Sequence, residues 1–459
     1  MSSKNQSVLD TTTGPLLRPL ISFSVPIMLS NILQLLFNAA DIVVVGQFIN
    51  ENAVASIGCT ALIINMVISL FSGLAIGPTI IISNNVGSGK NDHHSVIHTA
   101  YSLGIILGIV SLVTGLVIAK PFLMLLQTPA DIIDQSTLYL KIYFLGQPGF
   151  MIYTFARSIL VAKGDTQSPF RYLAISGVAN IILNLFFVAI LHHGVESVAI
   201  ATIASQYLSG ILTTRKLLVS NDEFRLDLRK LQIDSDITKK IIRIGLPAGL
   251  QSTLMSLSAV FTQSAVNSLG TEVIAGQSAA NSIWSFVSQT INAFSQGCMT
   301  FVSQNFASGK QNRVRKTFRC TLLIDLIFGI GLGAIVLGAG RSLLKIYVPD
   351  SQIAIETGMI HFYATIIFAF LLGFQDASCF LLRGLDCSLF PMITSIFGNC
   401  VFRIGWVILV FNRFAPGMET LDAYKLLVSS YPISWLIIFL ANITAYAVIL
   451  KKQENSVCN

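Results

Sequence analysis

Between Arg18 and Glu51 the chain holds one ionisable group, Asp41, in a run that is otherwise apolar or neutral. A carboxylate inside such a run is expensive in a bilayer, so it faces a bundle interior or a wet cavity. Asn31, Gln34, Asn38 and Asp41 are spaced three, four and three apart, which lays them along one helical face. Two later apolar spans carry matching stripes: Ser176, Asn180 and Asn184, then Thr202, Gln206 and Ser209. If Asp41, Asn180, Asn184 and Thr202 converge, they offer a carboxylate, two amides and a hydroxyl. Those hard oxygens suit a monovalent cation, or a proton on the carboxylate. The chemistry expected is the reversible binding of a monovalent cation or a proton, with no cofactor and no metal centre.

The second half of the chain carries different chemistry. Asp376 and Arg403 both lie within apolar spans, and they are expected to pair, giving this half a fixed internal cation. The alternative places Asp376 near an inner helix end beside Arg383. A further stripe, Asn281, Ser285, Ser288 and Asn292, could equally serve to glue helices together. Catalysis has no visible seat: there is no Ser-His-Asp order, no His-Glu-x-x-His and no pair of intramembrane carboxylates. His94 and His98 are four apart and His192 and His193 adjacent, but no third ligand has a metal-site spacing. Two Ser-Gly-Lys segments lack the spacing of a phosphate loop and read as helix ends with tight turns after them.

These residues must be carried by membrane helices. The chain has 459 residues, 53% hydrophobic and 11% charged, with a mean hydropathy of +0.72. A soluble domain carries about 25% charged residues. Apolar runs give twelve spans, at 18–48, 53–78, 97–119, 137–161, 168–191, 195–214, 239–266, 272–299, 318–339, 355–382, 388–411 and 430–450. With the N-terminus inside, most of the 29 Lys and Arg fall in cytoplasmic segments, including the cluster from Lys310 to Arg319. That asymmetry puts both termini in the cytoplasm. The net charge of +7 is therefore topological and gives no reason to expect nucleic acid. Seven scattered cysteines, Cys458 among them, have no disulfide framework.

The chain repeats itself. At a shift of about 220 residues, Phe23-Ser-Val-Pro26 meets Ile244-Gly-Leu-Pro247, and Ser83-Asn-Asn-Val-Gly-Ser-Gly-Lys90 meets Ser303-Gln-Asn-Phe-Ala-Ser-Gly-Lys310. Gly164 meets Gly384, Asn180 meets Asn399, and Arg403 takes the place of Asn184. Six spans per half make this a parallel repeat. The expected fold is all-α, with a six-helix bundle over 1–214, a charged, solvated cytoplasmic linker over 215–238 and a second six-helix bundle over 239–459. The bundles are expected to face each other across a central cleft.

Taken together, the opening Pro-x14-Asp helix, the repeated loop and Leu382-Arg383-Gly384-x-Asp386 make the chain resemble the multidrug and toxic compound extrusion (MATE) family. The resemblance covers nearly the whole length. It implies an antiporter of a bacterial inner membrane that expels organic cations in exchange for Na+ or H+. Members of the bacterial branches place Asp, Asn and Thr on helices one, five and six, which Asp41, Asn180 and Thr202 match. A second helix-five Asp, common in those members, is Asn184 here. The helix-seven Glu of one branch is missing, with Gln251 and Met255 in that region, while Asp376 matches its helix-ten Asp. Gln34, Asn38, Phe150, Met255, Asn281 and Phe286 are candidates for a substrate cleft that takes amphipathic drugs. Membrane lipids are the other expected partners, and the chain is expected to act as a monomer. The nearest rival is a flippase for a lipid-linked precursor, which would want a cleft rich in Arg or Lys. A membrane enzyme or receptor would need a catalytic cluster or a soluble domain.

Overall fold

A backbone crossing hydrocarbon must satisfy its own N–H and C=O groups, so the apolar runs fold as helices. The computed structural model describes residues 10–49, 51–90, 93–192 and 194–457; His193 and Cys458 lie outside them. No strand occurs among the described residues. The first half comprises α1 (Leu17–Phe48), α2 (Glu51–Leu74), α3 (Ile76–Gly87), α4 (His94–Leu125), α5 (Ile133–Leu145), α6 (Gln147–Lys163), α7 (Gln167–Asn184) and α8 (Val195–Leu218). The second comprises α9 (Ser235–Asn267), α10 (Thr271–Ala307), α11 (Gln311–Tyr347), α12 (Gln352–Thr365), α13 (Ala369–Gly384), α14 (Leu389–Ile396), α15 (Arg403–Gly405), α16 (Asn412–Phe414), α17 (Thr420–Val428) and α18 (Ser430–Val457).

Each of the twelve expected spans falls on these helices, several being made of two or more consecutive pieces. Nine helices among the described residues are long and apolar enough to cross a membrane, and the pair α12–α13, bent by 47°, adds a tenth. The Ser-, Asn- and Gln-rich α10 does not pass that test although it has 37 residues. Helix ends run beyond the apolar runs. The basic cluster around Arg313, Arg315, Lys316 and Arg319 is not a loop but the opening turns of α11. Hydropathy marks the part of a helix at hydrocarbon depth, whereas backbone hydrogen bonding carries the helix on into water.

Packing divides the chain into two units. Of the described residues, unit one holds 10–14, Leu29–Thr253 and Ser303–Gly309; unit two holds Pro15–Met28, Leu254–Val302 and 310–457. Neither is a contiguous half. In unit one, α9 meets α2 and α3 through small residues: a Cβ on Gly249 would lie 2.2 Å from the Leu70 carbonyl oxygen, and one on Gly73 2.2 Å from the Gly249 nitrogen. The two copies of the repeated loop also touch there. Ser303 Oγ donates to Asn84 Oδ1 at 2.7 Å, and a Cβ on Gly87 would collide with the Gln304 backbone. Both copies end their helices as expected, with left-handed Gly89 (φ 65°) and Gly309 (φ 73°).

The charged linker is not a free tether. Phe224 and Leu226 are buried in the core of unit one with Ile97, Phe155 and Ile159. Lys163 Nζ bonds the Asp222 carboxylate and lies over the Phe224 ring. Burial acts to raise the Asp222 pKa, but hydrogen bonds from Lys163, Ser220 and the Phe224 amide outweigh it and hold the carboxyl below its ordinary value. The Asp227 amide donates to His98 Nε2 at 3.0 Å, and the Asp234 amide to Thr99 Oγ1 at 3.2 Å. The signal for this docking was the Phe224-x-Leu226 pair inside the run of charges.

Candidate cation-binding site

The site begins with a close helix contact. Gly177 on α7 lies against Phe37 on α1, where a Cβ would meet the tip of the ring at 1.8 Å. Asp41 comes four residues after Phe37, and Asn180 and Asn184 come three and seven after Gly177. The contact therefore sets the acid and both amides on facing sides of one seam. Asn184 Nδ2 donates to Asp41 Oδ1 at 2.5 Å and to Asn180 Oδ1 at 3.4 Å. Thr202 Oγ1 on α8 lies within hydrogen-bonding reach of both the Val198 carbonyl, at 2.9 Å, and the Asp41 carboxylate, and its one hydroxyl hydrogen can go to either. Just past Asn184 the helix widens into a π turn, Leu185–Ile190, a feature often found at functional positions.

A cavity of about 350 Å³ in unit one opens onto this seam. Asp41, Asn180, Thr202, Gln34, Asn38 and Phe150 all line it. Asn184 lies behind them, fully buried, and its Oδ1 has no hydrogen-bond partner. A buried amide oxygen without a donor is costly in a protein interior. The amide's Nδ2 faces the Asp41 and Asn180 oxygens, and if that amide turned over, its oxygen would join a carboxylate, a second amide and a hydroxyl in a set of hard oxygens that fits a small monovalent cation. The same carboxylate, partly exposed to the cavity, could take a proton instead.

Unit two is built differently. Asp376 on α13 accepts from Asn292 Nδ2 at 2.8 Å and from Gln375 Nε2 at 3.3 Å, and Asn292 Oδ1 accepts from Gln296 at 2.8 Å. The expected Asp376–Arg403 pair does not form. Arg403 Nε and Nη2 both donate to Ser434 Oγ, at 3.1 and 2.9 Å, and its guanidinium lies 4.3 Å from the centre of the Tyr431 ring. The reason is helical phase. A π turn, Phe397–Phe402, precedes Arg403 and has no counterpart before Asn184; the second π turn, Trp406–Phe411, corresponds to the one after Asn184. An i→i+5 turn holds an extra residue, so it rotates the side chains beyond it about the helix axis.

Unit two holds a second acid at membrane depth that no polar stripe marked. Asp325 on α11 is fully buried, neither of its oxygens has a hydrogen-bond partner, and it interacts electrostatically with Asp376. It packs on Gly373, one turn before Asp376, where a Cβ would fall 2.7 Å from its own Cβ. An acid inside the ninth apolar run was the signal that could have found it. Met255, Asn281 and Phe286 belong to unit two and do not line the cavity beside Asp41. Met255 Sδ accepts from Asn399 at 3.9 Å, and the Asn281 and Phe286 carbonyls accept the Ser285 and Thr290 hydroxyls. His94 and His98 stack at 4.0 Å, and both His98 ring nitrogens are engaged by backbone.

Known proteins resemble this chain along most of its length. The MatE family model matches residues 26–186 and 247–409. The probable multidrug resistance protein YoeA of Bacillus subtilis is 26% identical over 83% of this chain and 84% of its own. The probable multidrug resistance protein NorM of Thermotoga maritima is 24% identical over 87% of each. The multidrug export protein MepA of Staphylococcus haemolyticus is 22% identical over 77% of this chain and 78% of its own. Among solved structures, an outward-facing multidrug resistance MATE family transporter superposes with a TM-score of 0.89 at 18% identity, covering 98% of this chain and 100% of that one.

Proposed function

The chain belongs to the MatE family, and from that membership we propose that it is a secondary active exporter. It expels amphipathic, mostly cationic compounds from a bacterial cytoplasm across the inner membrane in exchange for inward Na+ or H+. Relatives named for multidrug resistance or export support the substrate class. The observation that carries the coupling is the Asp41 seam, where one carboxylate opens on a cavity and the Asn184 oxygen behind it is unsatisfied.

In this reading Asp41 supplies the single negative charge and Asn180, Asn184 and Thr202 supply neutral oxygens. The site therefore neutralises one positive charge per cycle. An occupied site is neutral and tolerates being closed off from water; an empty one is an anion and favours the wet arrangement. That difference is what lets a cation gradient drive alternating access. The chain acts as a monomer with both termini in the cytoplasm, and lipids surround it.

The test is efflux of the methyl ester of tetramethylrhodamine, a permanent amphipathic cation, followed as its uptake into everted vesicles, whose lumen takes the place of the cell exterior. A pH gradient and a Na+ gradient are imposed separately, for the natural chain and for Asp41→Asn. One gradient should drive efflux by the natural chain and neither should drive it in the variant. Equal gradient-driven efflux by both would sink the reading.

A further inference from the structure

Arg403 stands within the apolar span Leu389–Phe414, and yet no carboxylate pairs with it among the described residues. The two acids that unit two carries at membrane depth are both accounted for elsewhere: Asp376 takes Asn292 and Gln375, and Asp325 faces Gly373. A guanidinium in such a span marks a pathway or a binding point unless it is neutralised. Its surroundings are aromatic. Tyr431 lies under the guanidinium, Trp435 meets Tyr431 edge-on at 6.3 Å, and Trp284 stacks on Trp435 at 5.6 Å.

The side chain is held in one pose. Ser434 Oγ donates to the Tyr431 carbonyl at 2.8 Å and so turns its lone pairs to Arg403. It takes both Nε and Nη2, which form one edge of the guanidinium. The other edge, Nη1 with the outer hydrogen of Nη2, has no partner among the described residues, and Arg403 is only partly buried. Two parallel N–H groups at fixed separation match the two oxygens of a carboxylate. Tyr431 and Trp284, each only partly buried, give this point an aromatic border.

We infer that Arg403 is the binding point for a carboxylate carried by an aromatic, amphipathic export substrate. The inference rests on the export reading above. A lipid phosphate would also accept this fork, and the two lipids of the test below separate it from a carboxylate on the cargo.

Tetramethylrhodamine and its methyl ester differ only in that carboxylate, and both are fluorescent. Binding of each to the purified full chain is measured by anisotropy, in nanodiscs of phosphatidylcholine and of phosphatidylglycerol. The natural chain should bind the free acid about tenfold more tightly than the ester, as a charge-assisted bidentate pair implies. Arg403→Gln should remove that preference, and Arg403→Lys, which keeps charge without the fork, should keep only part of it. The preference should be the same in both lipids. Equal binding of acid and ester by the natural chain, or an undiminished preference in Arg403→Gln, overturns the inference. So does a preference that vanishes in phosphatidylglycerol, which would assign Arg403 to lipid phosphate. Failure of the export reading is seen separately, as absence of ester efflux by the natural chain.

Discussion

The two units carry acids in their membrane helices and treat them in opposite ways. In unit one a single carboxylate borders a cavity, and the amide behind it keeps an unused oxygen. In unit two Asp376 ends a chain of donors, Gln296 to Asn292 to carboxylate, and a second acid lies sealed beside it. The first arrangement leaves a coordination place to be filled; the second has its donors already committed. The difference teaches that a carboxylate in a span is not by itself an exchange site. Its neighbours decide whether an ion can come and go.

The sharpest way to break this comparison is to neutralise one acid at a time. Asp41→Asn should reduce gradient-driven efflux to background, a loss of about a hundredfold or more if the coupling charge is gone. Asp376→Asn keeps the shape and one oxygen for Asn292, so efflux should fall by about threefold to tenfold, in line with the loss of one charge-assisted hydrogen bond. Initial rates in everted vesicles measure both. Equal losses would put exchange in both units.

A second pair of variants tests the seats of the two acids. Gly177 and Gly373 each stand three residues before a polar group of the site and each lies against a neighbour that leaves no space for a methyl group. At Gly177 the neighbour is the tip of the Phe37 ring, which itself lines the cavity, so Gly177→Ala must turn that ring into the cavity or shift α1 beside Asp41. Efflux should drop by about tenfold, since a displacement near 1 Å at a working site is that costly. At Gly373 the neighbour is Asp325, and Gly373→Ala should lower the thermal midpoint instead, by an overpacking cost of about 1–3 kcal/mol. If both variants lost only stability, the seam at Gly177 would be packing and nothing more.

Most of the fold was legible, and the reasons it was legible also mark the limits. Apolar runs locate helices because the bilayer admits little else, so all twelve spans were in place. Their ends were not, because Arg313, Arg315 and Lys316 already lie on α11, before the apolar run at 318 begins. The Asp41 group came from three stripes at helical spacing, which works while the helix is regular. It failed at Arg403, where the π turn over Phe397–Phe402 rotates the side chain toward Tyr431 and Ser434. Nothing in residue types announces such a turn. Asp325 was missed because it belongs to no stripe; only its depth within an apolar run singled it out. The linker was read by its charges, while two apolar residues among them, Phe224 and Leu226, do the anchoring.

The smallest effect is expected at Asp325, and it is the most discriminating. Its two oxygens have no donor among the described residues, it is fully buried, and the charged group that acts on it is another acid, Asp376. Asp325→Asn exchanges the carboxyl for an amide of the same shape and removes an acid whose burial nothing compensates. Losing such a group is neutral or stabilising in proteins, by about 1–2 kcal/mol, where losing a well-paired one is harmful. The thermal midpoint of the detergent-solubilised chain should therefore hold or rise slightly, and ester efflux should stay within about twofold of the natural chain. The result that would undo the comparison is a stable Asp325→Asn protein that no longer exports. Unit two would then need both acids for transport, and the sealed pair would have to open during the cycle, as the cavity beside Asp41 already does at rest.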